Sequence, residues 1–233
     1  MKNIPLLLIT LGGTIALIFG VSFFFSKQTA PTELTTDETT TGARHFYTGQ
    51  ESNEATSSAL MEEDATQSAE AEQTKTVTIV EFSDFQCPAC KAAYPLKDQL
   101  FANFPGQIEF IFRHYPLPSL HPNAMLAAQA AESAAQQGKF WEMHDLLFER
   151  QSDWESLSNS EAETKFVEFA RELKIDDQLF SESIKSDTVK SLVQQDIDTG
   201  NNLKVNATPT FFVNGKKVSA PDLISTVQTE LNP

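Results

Sequence analysis

The chain has two cysteines, three positions apart in Cys87-Pro88-Ala89-Cys90, directly after the strand-like run TVTIVEF at residues 76–82. A disulfide closing so small a loop does little for stability, because the gain grows with loop length. If Pro88 opens a helix, Cys87 lies at its N-terminus, where free N–H groups and partial positive charge favour a thiolate. A C-x-x-C at a strand-to-helix junction reads as a thiol–disulfide redox site. The rivals are an inert structural disulfide and a zinc site. Zinc needs two more ligands, and none of His45, His114, His121 and His144 stands at finger-like spacing from the pair. No metal is expected.

What surrounds the pair places it in a compartment. Residues 4–25 form a run of 22 residues without a charge, long enough to cross a bilayer as a helix. A cleaved signal peptide is the alternative, but Pro31 disfavours cleavage after Ala30, and no cysteine follows the run to carry a lipid. Residues 1–26 are therefore read as an uncleaved single-pass signal anchor in the cell membrane. Lys2 and the amino terminus put the short side in the cytoplasm and export the rest, to where disulfides persist. The net charge of -15 argues against nucleic-acid partners.

Residues 27–75 carry ten acidic residues against Lys27, Arg44 and Lys75, with few large apolar side chains. Such a segment buries too little to offset its ordering entropy and is expected to be a disordered linker. The folded unit is expected at 76–233. It begins with the strand at 76–82, then a helix from Pro88 to about Phe104 and a central strand at 108–113. A helical block, about 119–204, follows a proline-rich loop, with a capping box from Ser160 to Glu163. The tail has two short strands around Asn214-Gly215, a type I′ hairpin signal, and a last helix to about Leu231. The order is that of an α/β thioredoxin-like fold with a helical insertion after the second strand.

Three segments carry a resemblance to a known family: VEFSDFQCPAC at 80–90, GKFWEMHDLLF at 138–148 and VNATPTFFVNG at 205–215. In this order they resemble the DsbA-like thiol–disulfide oxidoreductases, and the anchored plan resembles the BdbD-type members. The resemblance covers about residues 76–231. It implies that Cys87 is the exposed nucleophile and Cys90 the buried resolving thiol. It also implies that Pro209, after Thr208, is a cis-proline beside the disulfide, where the two residues hold substrate. Glu81, six residues before the nucleophile, would be a buried carboxylate relaying the Cys90 proton; an acid facing solvent is the alternative. Asp84 is read as solvated, His144 as structural, and His114 and His121 as polar loop groups.

The best-known member has Pro-His between its cysteines. Pro88-Ala89 lacks the imidazole, so Cys87 is expected to titrate between about 3.5 and 7, with a milder potential. No cofactor is needed, because the dithiol carries the electrons. The expected partners are exported proteins with cysteines and a DsbB-like or VKOR-like membrane quinone reductase. A reductase or isomerase running the same exchange is one alternative function. A thioredoxin-fold chaperone or a Cu(I)-delivery module is the other, although no Met-rich motif accompanies the pair.

Overall fold

The structure, a computed structural model, describes residues 35–47 and 75–232; the predicted anchor at 1–26 and the tether segments 27–34 and 48–74 lie outside the described residues. Among the described residues no helix is long and apolar enough to cross a membrane.

Strand β2 (Val77–Ser83) is the middle of a five-stranded sheet, and all its residues but Thr78 are buried. That explains its apolar side chains on both faces. It pairs in parallel with β3 (Ile108–His114) and antiparallel with β4 (Thr210–Val213), so that Glu81 lies between Phe112 and Phe211. Strand β5 (Lys216–Val218) extends the β4 edge through Asn214-Gly215, whose φ values of +46° and +82° are those a type I′ turn requires. Strand β1 (His45–Tyr47) pairs antiparallel with β3 at the other edge, giving the order β1-β3-β2-β4-β5.

Helix α1 (Thr36–Thr40) precedes β1, and α2 (Pro88–Ala93) and α3 (Pro95–Asn103) join β2 to β3. The single helix expected over 88–104 is thus divided at Tyr94. Pro95 has no N–H to donate and its ring crowds the preceding turn, so it opens a second helix instead of continuing the first. Between β3 and β4 lie α4 (Ala124–Ala135), α5 (Phe140–Glu149), α6 (Asn159–Glu172), α7 (Asp177–Ser183) and α8 (Asp187–Asn202), the expected helical block; α9 (Leu223–Leu231) closes the chain.

The capping box of α6 is formed two residues earlier than expected. Glu161 N–H donates to Ser158 Oγ, and Ser158 N–H donates to Glu161 Oε2 at 3.0 Å. Both serines have glutamate three residues on; starting at Ser158 brings Ala162, Phe166 and Phe169 to the buried face.

The sheet separates two apolar layers. Val77 and Ile79 pack with Leu100, Phe211 and Leu223, while Val80 and Phe82 pack with Tyr115 and Phe212. Glycine at 200 allows α8 to approach the second layer: a Cβ there would lie 2.6 Å from Tyr115 Cδ2.

The linker expectation needs a correction at residues 35–47. This stretch has no core of its own, but it borrows one from the body. Arg44 Nη2 lies 2.7 Å from Glu132 Oε1 and 3.1 Å from Asp196 Oδ2, and the His45 ring stacks on Phe140 with centroids 3.4 Å apart. Buried Arg113 donates to the carbonyl oxygens of Thr39 and Thr41 and pairs with Asp196 at 2.8 Å. Composition excludes an independent fold for this segment; it does not exclude a strap laid along an existing sheet edge. The folded unit therefore includes residues well before Thr76.

Candidate active site

Cys87 is the N-cap of α2, with extended backbone and Pro88 as the first helical residue. Its N–H donates to Asp84 O at 3.0 Å and its carbonyl accepts from Lys91 N–H at 3.1 Å. Its thiol lies 3.5 Å from the carbonyl oxygen of Thr208, the residue joined to Pro209 by a cis peptide bond. The nucleophile expected to be exposed is 7% accessible, Cys90 is fully enclosed, and the intervening Pro88 and Ala89 are exposed. Both sulfurs are free thiols.

The environment drives the two thiols apart. Cys87 is lowered to about 5, first by a hydrogen bond from the Cys90 thiol, against an opposing effect of burial. The Thr208 side chain and the N–H groups of Cys90 and Ala89 add to the lowering. Cys90 moves far up, because burial, its bond to Cys87 and the nearby Glu81 charge all oppose ionisation. One thiol is thus a thiolate at neutral pH while its neighbour keeps its proton. That is the division of labour a dithiol exchanger needs.

Glu81 lies on β2, buried. Burial raises it to about 7, partly offset by the Ser83 hydroxyl and the Lys97 charge. Lys97 is itself buried on α3, 3.3 Å from Asp98 Oδ1 and 3.7 Å from Asp145 Oδ1, with its ammonium 4.1 Å from the Tyr47 ring centroid. Raising a buried acid from 4.5 to about 7 corresponds to about 3 kcal/mol. The sign follows from which state holds the proton. The native state keeps it where the unfolded chain has released it, so this contribution is complete below pH 4.5 and lost as pH rises through 7. Wild type is therefore expected to lose about 3 kcal/mol between pH 4.5 and 8 that Glu81→Gln does not lose. Urea unfolding at both pH values checks this; parallel pH dependences would contradict it.

Several residues of the site escaped the sequence reading. Asp84 is buried, not solvated: Oδ1 accepts from Gln86 N–H at 2.8 Å, and Oδ2 accepts from Leu117 N–H at 2.9 Å and lies 2.7 Å from His121 Nδ1. Gln86 Oε1 accepts from Asn123 N–H at 2.6 Å, and its amide donates to Glu155 O at 2.7 Å. Gln151 Nε2 donates to Phe85 O at 2.7 Å and to Cys87 O at 3.3 Å. The turn bearing the nucleophile is thereby suspended from the helical block by side-chain amides and one carboxylate. Their partners lie 33 to 69 positions away, so no local pattern announces them.

The histidines divide differently from the reading. His144 is buried on α5 and meets Asp145 Oδ1 at 2.8 Å, a structural place as expected. His114 is no loop residue: it ends β3, fully buried, with Nε2 3.2 Å from Glu132 Oε1. His45, His114 and Glu132 bring their polar atoms within 4.8 Å of one another, a spacing a metal ion could bridge. The Arg44 guanidinium lies on that same carboxylate oxygen, and the group acts here as the clasp of the strap.

A thiolate at a helix start, a buried partner thiol and a cis-proline facing them define a class, the enzymes that exchange disulfides through a dithiol. A family profile described as Thioredoxin matches residues 71–232, and the chain belongs to that family. Among solved structures, oxidised BdbD from Bacillus subtilis superposes with a TM-score of 0.60 at 28% identity, over 70% of this chain and 91% of that one. A thioredoxin-like oxidoreductase from Silicibacter pomeroyi gives 0.55 at 27% identity, over 67% and 87% of the two chains. MdbA, a thiol-disulfide oxidoreductase from Corynebacterium diphtheriae, gives 0.55 at 20% identity over 67% and 86%, which supports the fold alone. With these neighbours and this site, the chain is an oxidoreductase of DsbA-like kind.

The Na(+)/H(+) antiporter NhaA 3 of Salinispora tropica is 38% identical over 145 residues, 62% of this chain and 21% of that protein. The chain thus spans about a fifth of the length of the curated relatives it matches, and the antiporter name belongs to those whole proteins.

Proposed function

We propose that this protein is an extracytoplasmic thiol–disulfide oxidoreductase that introduces disulfides into exported proteins. The observation that carries the reading is the split between a thiolate at Cys87 and a proton-bearing thiol at Cys90. In the oxidised enzyme, a substrate thiolate attacks Cys87 Sγ and the Cys87–Cys90 bond breaks, its electron pair leaving on Cys90. A second substrate thiolate attacks the substrate sulfur of the mixed disulfide, forms the product disulfide and expels Cys87. The substrate is oxidised and the enzyme dithiol holds the two electrons. A low-pKa sulfur leaves readily, which favours release of Cys87 in the second step.

Further roles complete the proposal. The backbone at Thr208 and Pro209 holds the substrate as an extended strand. Glu81 takes and returns the Cys90 proton, and Pro88 and Ala89 set the strength of oxidation by omitting a charged neighbour. Residues 4–25 keep the domain at the membrane, within reach of a DsbB-like or VKOR-like quinone reductase that removes the electrons.

Direction is settled by the reduction potential. Thioredoxin, with a nucleophile near 7, stands at about -270 mV, and DsbA, near 3.5, at about -120 mV. At about 30 mV per tenfold change, a nucleophile at about 5 gives about -210 mV counted from thioredoxin and about -165 mV counted from DsbA. Equilibration of the full chain with glutathione buffers tests this. A value near -270 mV would make the protein a reductase and overturn the oxidising assignment.

A further inference from the structure

The nucleophile sits at the end of a turn that is held from a distant loop. Residues 84–87 form a β-turn closed by the bond from Cys87 N–H to Asp84 O at 3.0 Å. Asp84 stands first in it, and its Oδ1 accepts from Gln86 N–H at 2.8 Å, a bond within the turn that accounts for an acid here. It does not account for Oδ2. That oxygen faces the loop between β3 and α4, accepting from Leu117 N–H at 2.9 Å and lying 2.7 Å from His121 Nδ1. Asn123 N–H, at the end of the same loop, donates to Gln86 Oε1 at 2.6 Å. Loop and turn are thus joined at three points. Two use main-chain N–H groups, which any residue but proline supplies, and the third needs the imidazole. The loop itself closes without that ring: His121 N–H donates to Leu117 O at 2.9 Å, and Ala124 N–H donates to His121 O at 3.0 Å. A carboxylate only accepts, so His121 Nδ1 carries the hydrogen. The Asp84 side chain is wholly buried, whereas the imidazole is 18% exposed.

We propose that His121 is a positioning residue for disulfide exchange: through the Asp84 carboxylate it holds the turn that carries Cys87 and offsets the buried negative charge within that turn. The inference rests on the exchange function proposed above. Without the imidazole, Asp84 Oδ2 keeps a single N–H donor, and its charge is less well compensated three residues before the thiolate. A nearby like charge disfavours ionisation. The Asp84 main chain is also placed less firmly. Its carbonyl takes the Cys87 N–H, and its own N–H favours the ionised form of Cys90, the sulfur that leaves when the disulfide opens. Both changes act in one direction. Cys87 becomes a less stable thiolate and a poorer leaving group, and the dithiol form loses ground to the disulfide.

The test uses the full chain and three variants. His121→Ala removes ring and donor, and His121→Phe keeps a ring without a donor. His121→Asn keeps a donor, since its Nδ2 is bonded to Cγ as Nδ1 is in histidine. Cys87 ionisation is read from thiolate absorbance at 240 nm, and the reduction potential from equilibration with glutathione buffers. His121→Ala and His121→Phe are each expected to raise the Cys87 midpoint by about one pH unit. That is about a tenfold loss of thiolate, and it moves the potential about 30 mV more negative. His121→Asn is expected to stay within about a third of a unit of wild type. A wild-type midpoint and potential in both the alanine and the phenylalanine variant would overturn the proposal. So would an asparagine variant shifted as far as alanine. A phenylalanine variant that matches wild type while alanine does not would also overturn it, because ring volume and not the bond would then be at work. Should alanine fail to fold, the phenylalanine and asparagine variants decide between bond and volume by themselves. If wild type formed no Cys87–Cys90 disulfide that glutathione reduces, the exchange reading would fall first, and the role of His121 with it.

Discussion

Cys87→Ser in the full chain is expected to lose catalysed refolding of a reduced, disulfide-containing substrate such as ribonuclease by more than about a hundredfold. Serine at this position has the geometry of the cap but cannot accept a disulfide, and its hydroxyl does not ionise near neutrality. Cys90→Ala is expected to behave differently. It keeps the low-pKa sulfur and still attacks disulfides, but it lacks the thiol that expels the bound partner, so covalent conjugates accumulate and appear by mass. Its Cys87 should also titrate higher than in wild type, because the Cys90 thiol supplies the largest stabilisation of the thiolate. A Cys87→Ser variant with full activity would remove the redox reading altogether.

A chain beginning at Thr76 is expected to be less stable than one beginning at residue 34 by about 3–5 kcal/mol. The shorter chain lacks Arg44 and His45, leaving Glu132 without two partners and Asp196 with only Arg113 and the His114 N–H. Arg113 in turn loses the carbonyls of Thr39 and Thr41, and the outer edge of β3 is left open. Breaking a buried ion pair from one side costs more than the pair itself contributes, because the remaining charge stays enclosed. Trp141 also loses the Phe46 carbonyl that its indole N–H reaches at 3.0 Å. Urea unfolding of the two chains measures the difference. Equal midpoints would show that the strap merely rests on the sheet.

This second expectation marks where sequence and structure part. Alternation and turn chemistry were enough to place β2, β3 and the hairpin at Asn214-Gly215, because their signals are local. Cys87, Cys90 and Pro209 were legible for a different reason: they sit in three segments that resemble a family, and the family supplies their proximity. The strap was not legible. Residues 35–47 are polar and acidic in sequence, and what orders them is Arg113, Glu132, Asp196 and Phe140, all more than sixty positions away. Asp84 was misread in the same way. A carboxylate three residues before a nucleophile suggests solvent, but two backbone N–H groups and His121 enclose it.

Disulfide exchange through this pair requires Cys87 to be a thiolate at neutral pH beside a protonated Cys90. Thiolate absorbance at 240 nm, followed as the reduced full chain is titrated from pH 3 to 9, reads this directly. The expected result is a single transition near pH 5, missing in Cys87→Ser, with no second thiol ionising below pH 9. A transition near 8.5 to 9, the range of an ordinary cysteine, would show that Cys87 is no thiolate at neutral pH and contradict the exchange mechanism.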